Sequence, residues 1–237
     1  MNKCYICNGL LISIGTVPFG RNIGTLPCTD FTPVEYYRCT NCDFICCPEM
    51  LDWPSNKFSE LIYNEDYILL DPGYNGLRAS NTKDSLDILF QYARKKPNHL
   101  DYGSGRGFLT DLLLKDKWNS TSYDPFTSKI RPTSKYKLIT AIEVVEHSTN
   151  MFQTMDDMLS LLERQGVILI TTKLCTKETL VDWWYICARS GHIGIHSEKS
   201  MIYIAKKYNL FFTSINEDFH YFQSTRNNFK QLLRGAL

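Results

Sequence analysis

The stretch HLDYGSGRGFLTDLL, His99 to Leu113, constrains the fold more than any other part of the chain. A short run that reads as a strand, Asn98 to Tyr102, carries an acid at Asp101. Three alternate glycines follow, Gly103, Gly105 and Gly107, and then a helical run from Phe108 to Leu114. Glycines at this spacing let the backbone turn tightly and approach a ligand where a Cβ would collide. Strand, glycine loop and helix in that order open an α/β domain with a ligand seated on the loop.

The spacing narrows the ligand. A dinucleotide site usually reads G-x-G-x-x-G, because the pyrophosphate rests on the helix N-terminus. Here it is G-x-G-x-G, and Asp101 sits directly before the loop. A carboxylate there repels a pyrophosphate but suits the methionine ammonium of S-adenosylmethionine. A second acid, Asp124 in TSYDPF, closes the next predicted strand, where a carboxylate can bind both hydroxyls of a ribose.

Alternating elements continue along the chain. Apolar residues at Leu86, Ile88, Leu89 and Tyr92 predict a helical face over Ser85–Arg94. Strands are predicted at Ser120–Tyr123, Leu138–Val145 and Val167–Thr171, and helices at Met151–Arg164 and Ser200–Lys207. Strand runs that are apolar on both faces suit a parallel sheet covered by helices. The last two strands, Leu210–Ile215 and Phe219–Gln223, are joined by only Asn216 to Asp218, which favours an antiparallel pair.

These motifs together resemble class I S-adenosylmethionine-dependent methyltransferases over residues 80–223. Asp101 to Gly107 looks like the family's first motif and Asp124 like its ribose acid. ITAIEVVEHS, Ile139 to Ser148, looks like the fourth strand with its Glu-His turn, and GVILITTK, Gly166 to Lys173, like the fifth. The resemblance implies a Rossmann-like α/β fold, a seven-stranded mostly parallel sheet with the last strand antiparallel. It also implies that Glu143 or its neighbours lie beside the cofactor.

Ahead of this domain, Cys4-x2-Cys7 and Cys39-x2-Cys42 form two knuckles. Thiolates two residues apart converge on one metal, and two such pairs complete a tetrahedral zinc shell, with Cys46 and Cys47 as nearby alternatives for the fourth ligand. With four protein ligands no position stays open for water, so this zinc is expected to be structural. The resulting organisation is a zinc-binding module over 1–57, a bridging segment over 58–79 and an S-adenosylmethionine-binding methyltransferase domain over 80–237. It resembles bacterial sugar and small-metabolite methyltransferases with an N-terminal zinc domain.

Methyl transfer to a hydroxyl or carbon acid needs an oriented nucleophile and a proton acceptor. An imidazole titrates near neutral pH and can serve. WWYICARSGHIGIHS, Trp183 to Ser197, follows the fifth strand, and by resemblance His192 falls where the sugar enzymes place a catalytic base, with Gly191 replacing the usual neighbouring glutamate. His147 in the Glu-His turn is the second candidate. His192 and His196 also have the spacing of a metal pair, with no third ligand evident in the sequence. Trp183, Trp184, Tyr185, Tyr63 and Tyr67 supply walls for a small substrate or simply core.

Composition bears on partners. With 26 Lys+Arg against 25 Asp+Glu, a net charge of +1 gives no long-range field toward a polyanion or an anionic membrane. Only Lys3, Arg21, Arg38 and Lys57 are basic in residues 1–57, so nucleic acid is an unfavoured partner. No stretch approaches the ~20 apolar residues of a membrane span. MNKCYICNGLLISIG does not read as a signal peptide, and an odd count of nine cysteines suits reduced thiols, so a cytoplasmic location is expected. The expected acceptor is a small molecule, methylated on oxygen or carbon. The alternatives are an RNA or protein methyltransferase using the zinc module for recognition, and a noncatalytic protein that binds the cofactor.

Overall fold

A computed structural model describes residues 2–128 and 130–235. In chain order its strands are β1 (Leu11–Pro18), β2 (Pro33–Cys39), β3 (Ile45–Cys46), β4 (His99–Tyr102), β5 (Ser120–Tyr123), β6 (Tyr136–Ile142), β7 (Leu162–Thr171), β8 (Gly194–Ile195), β9 (Phe211–Ser214) and β10 (Phe219–Gln223). The α-helices are α1 (Pro48–Leu51), α2 (Ser55–Leu61), α3 (Tyr67–Leu70), α4 (Leu77–Leu89), α5 (Phe108–Lys115), α6 (Met151–Leu161), α7 (Glu198–Lys207) and α8 (Asn228–Leu233). The chain divides into two compact units. The first comprises Met1–Asn75, Val145–Met151 and Lys173–Ile204; the second comprises Gly76–Val144, Phe152–Thr172 and Ala205–Leu237.

The second unit is built on a sheet of order β5-β4-β6-β7-β10-β9. β4, β5, β6 and β7 pair in parallel, while β10 runs antiparallel to both β7 and β9. β6 lies between two parallel neighbours, which is why Leu138, Ile139, Thr140 and Ala141 are all buried. Helix α5 follows the glycine loop because Leu109 and Leu113, four residues apart, share a buried face, with Asp111 in the first turn and Lys115 in the last complementing the helix dipole. Leu113 packs with Leu86, Phe90, Trp118, Leu138 and Phe229 in the core. Truncating one such fully buried leucine to alanine costs about 2–5 kcal/mol.

Three details depart from the sequence reading. The described residues form six strands in this sheet rather than seven, with the antiparallel one last, as expected. Between β5 and β6 the chain has only 12 residues, Asp124 to Lys135, including Pro125 and Pro132, too few for a further strand and the crossover of roughly a dozen residues that a parallel neighbour needs. Helix α4 starts earlier than Ser85, and its buried positions are Thr82 and Leu86, in line with Phe90; Ile88 and Tyr92 are exposed. Helix α6 stops at Leu161, because β7 already begins at Leu162, where it pairs with Tyr136.

The first unit has its own antiparallel sheet, β1-β2-β3-β8. Its late segments are tied to the N-terminal strands by hydrogen bonds: the Cys47 N–H donates to the Ile193 carbonyl at 2.9 Å, and the buried Tyr36 hydroxyl donates to the His192 carbonyl at 2.8 Å. The Ile193 N–H in turn donates to the Glu146 carbonyl at 3.0 Å, joining 145–151 to the same framework. No helix among the described residues is long and apolar enough to cross a membrane.

Candidate active site and metal centre

In the second unit the sheet reverses its build direction at β4, whose neighbours are β5 on one side and β6 on the other. In open α/β sheets, ligands bind at the carboxyl ends of strands at such a switch point. The sequence-predicted cofactor residues stand at those ends. Asp101 is the third residue of β4, Asp124 directly follows β5, and Glu143 directly follows β6.

The loop after β4 needs its glycines. Gly103, Gly105 and Gly107 all have left-handed backbone, with φ of 69°, 52° and 78°. A Cβ at Gly103 would also stand 2.5 Å from Cγ2 of Val144. The loop is tied to the ribose-type acid: the Gly105 N–H donates to Asp124 Oδ2 at 2.9 Å, while Oδ1 accepts the N–H groups of Phe126 and Thr127 at 2.9 and 3.1 Å. Glu143 has φ 52°, an uncommon conformation for a residue with a Cβ. Its N–H donates to Thr171 Oγ1 at 3.0 Å, and that hydroxyl donates to Glu143 Oε1 at 3.1 Å.

Asp101 is buried, and burial pushes its carboxyl up to about 7 against the hydrogen bonds of Thr140 and Thr110 that favour the anion. Thr140 Oγ1 lies 3.4 Å from Asp101 Oδ1 and 2.9 Å from His99 Nε2, and Ser120 Oγ lies 2.7 Å from His99 Nδ1. Complete burial pushes His99 down to about 3, so this imidazole is neutral. The His99–Thr140 support beneath Asp101 was not recognisable in the sequence, since its members lie 41 residues apart on two strands.

In the first unit the four cysteines come together. All four sulfurs lie within 4.8 Å of one another, with Cys4 Sγ 3.8 Å from Cys42 Sγ and Cys7 Sγ 3.3 Å from Cys39 Sγ. Four sulfurs about 2.3 Å from a tetrahedral zinc stand about 3.8 Å apart, so the donor set fits that ion. The hydrogen bond between Cys4 and Cys42 favours the thiolate on Cys4 and pushes the Cys42 thiol well up. The backbone N–H groups of Asn41 and Cys42 point at Cys39 Sγ, at 3.4 and 3.5 Å. Cys46 and Cys47 are buried outside this group, and burial pushes both thiols up.

The same unit gathers both candidate histidines. His147 Nδ1 faces the Gly191 carbonyl at 3.0 Å, and His192 Nδ1 faces the Tyr185 carbonyl at 2.8 Å; the two ring centroids are 5.0 Å apart. Gly191 has φ 85°, and a Cβ there would meet His147 Nδ1 at 2.9 Å, which explains why no side chain stands at that position. Tyr63 is 6.2 Å from the His147 ring and 5.1 Å from the Tyr67 ring. Tyr185 is buried, Trp183 is half-buried and Trp184 is exposed. His196 does not join His192 in the metal-type group; its Nδ1 pairs with Ser200 Oγ at 3.2 Å, and burial pushes it down to about 3.

A family model described as a methyltransferase domain matches residues 74–214, more than half of the chain. The chain belongs to this methyltransferase family. The methyltransferase is similar in structure to three proteins of solved structure. One is 1,6-didemethyltoxoflavin-N1-methyltransferase of Burkholderia thailandensis (TM-score 0.49, 10% identity, covering 78% of this chain and 95% of that one). Another is DesVI of Streptomyces venezuelae (0.48, 10%, 70% and 98%). The third is magnesium protoporphyrin IX methyltransferase of Synechocystis PCC 6803 (0.43, 12%, 64% and 84%). No curated protein sequence matches the methyltransferase.

Proposed function

We propose that the protein transfers a methyl group from S-adenosylmethionine to an oxygen or carbon atom of a small molecule, such as a sugar or a secondary metabolite. The observation that carries this reading is the gathering of Asp101, the left-handed glycine loop, Asp124 and Glu143 at the carboxyl ends of β4, β5 and β6. The fit to the cofactor lies in the chemistry of the donors: an acid before the loop for the ammonium, glycines at 103, 105 and 107 for close backbone approach, an acid after the next strand for the ribose hydroxyls, and Glu143 for the remaining polar edge. Bound there, S-adenosylmethionine supplies an electrophilic methyl group. The protein's own residues bind and orient it, and His192, with His147 as the second candidate, takes the acceptor's proton. Each has Nδ1 turned to a carbonyl, which can only accept a hydrogen bond, so a neutral ring carries its proton on Nδ1 and Nε2 is the nitrogen that would take up the acceptor's proton. Cys4, Cys7, Cys39 and Cys42 hold a structural zinc, and the near-zero net charge and free-thiol chemistry suit a cytoplasmic enzyme of small molecules.

Isothermal titration with S-adenosylmethionine and S-adenosylhomocysteine, beside an Asp124→Ala control, tests the site. Micromolar binding by the wild type that is lost in the control is expected. Absence of binding by the folded wild type would overturn the reading.

A further inference from the structure

We infer that Glu146, His147 and His192 form a second metal site, one that takes a divalent transition-metal ion and leaves part of its shell open to an oxygen ligand. Their ligand atoms all lie within 4.8 Å of one another. Glu146 Oε1 is 3.9 Å from His147 Nε2. Around an ion with bonds of about 2.0–2.2 Å, neighbouring donors stand roughly 3.3 Å apart, so the three side chains need to close by about an ångström.

The surroundings are arranged as ligand supports. Both imidazoles have Nδ1 on a backbone carbonyl, Gly191 for His147 and Tyr185 for His192, so Nε2 is the atom each ring would offer an ion. Metal-bound histidines are characteristically oriented in this way. Tyr185 serves two ligands at once. Its carbonyl faces His192 at 2.8 Å, and its hydroxyl donates to Glu146 Oε1 at 2.7 Å. Gly191 is the residue whose missing Cβ leaves room for His147. Glu146 is fully buried, with its carboxyl beside both imidazoles.

The donor set differs in kind from the cysteine cluster. Four thiolates close a tetrahedron, whereas two imidazoles and one carboxylate are the ligands of zinc and iron sites that keep a position for water or substrate. An acceptor oxygen in that position becomes more acidic: its O–H bond breaks, the electron pair stays on oxygen beside the ion, and the proton leaves to solvent. For this last role the inference rests on the proposed methyl transfer; with Nε2 of His147 and His192 on the ion, neither ring takes up the acceptor's proton, and the ion instead lowers the acceptor's pKa. The site itself stands without it.

The test is zinc content. The full chain is incubated with excess zinc, freed of unbound metal and analysed beside Glu146→Gln and His192→Asn, each sample also being titrated with S-adenosylhomocysteine. Two zinc ions per chain are expected in the wild type and one in each variant; the ion retained on the cysteines reports that the first unit is folded. One zinc in the wild type, whatever the variants do, overturns the inference, and so do two zinc ions retained in both variants. S-Adenosylhomocysteine binding with only one zinc would sink the second site and leave the methyltransferase reading standing. Two zinc ions without S-adenosylhomocysteine binding would do the reverse.

Discussion

The backbone N–H of Gly105 donates to the carboxylate of Asp124 at 2.9 Å, linking the glycine loop after β4 to the acid after β5. The bond orders the loop and holds the acid in place. Asp124→Asn keeps one carbonyl oxygen for the Phe126 and Thr127 amides and loses the charge. A hydrogen bond to a charged group contributes about 1.5–3 kcal/mol. The variant is therefore expected to bind S-adenosylhomocysteine roughly tenfold to a hundredfold more weakly by calorimetry; unchanged affinity would detach Asp124 from the cofactor site.

At Gly103 two costs coincide: a left-handed φ of 69° and a Cβ position 2.5 Å from Val144 Cγ2. Gly103→Ala is expected to lose about 2–5 kcal/mol in denaturant unfolding, the sum of the conformational and overpacking terms. Adding Val144→Ala removes the clash but not the backbone strain. The double variant should be more stable than the sum of the two single changes predicts, and strict additivity would argue that the contact does not matter.

Asp101 sets a pH dependence. Its folded-state value, about 7, lies above the 3.8 of an ordinary carboxyl because of burial, with Asp124 adding to the rise. Between about 4 and about 7 the native state therefore holds a proton that the unfolded state has lost, and stability without cofactor falls as pH rises through that window. On the proposed reading, in which Asp101 takes the methionine ammonium as the anion, cofactor affinity should rise with pH up to about 7, by at most tenfold per unit. Asp101→Asn should flatten both curves. Chemical denaturation and calorimetry over the same pH range check the pair.

Of the nine cysteines, four converge at one point, four more are buried elsewhere in the first unit, and Cys28 is half-buried. Titrating the native protein with an organomercurial should release one zinc as the Cys4, Cys7, Cys39 and Cys42 thiols react, and lower the thermal midpoint of the protein because bound metal stabilises the fold it binds. Release of zinc without reaction of these four thiols would place it elsewhere. Cys46, Cys47, Cys175 and Cys187 should react only on unfolding, since burial pushes all four thiols up.

Much of the second unit could be read locally. Ser120–Tyr123 and Phe219–Gln223 appear as predicted, and the short connection at 216–218 does join an antiparallel pair. Periodicity and turn chemistry act over a few residues, so they survive without knowledge of the rest of the chain. Where the reading erred, distant packing decided the outcome. Ile88 and Tyr92 looked like part of a buried helical face, yet α4 turns Leu86 inward and leaves both in solvent.

The sequence by itself determined the strand–glycine–helix unit with its acid, the second acid one strand later and the two cysteine knuckles, because each is a short pattern whose geometry follows from local backbone and spacing. Only the tertiary structure decided that 145–151 and 173–204 belong with the N-terminal strands. That arrangement brings Glu146 and His147 to His192, and puts the carbonyl and hydroxyl of Tyr185 on two different members of the group. Side chains some 40 residues apart meet only when the intervening backbone path is fixed by burial and hydrogen bonding, and no local pattern encodes that path.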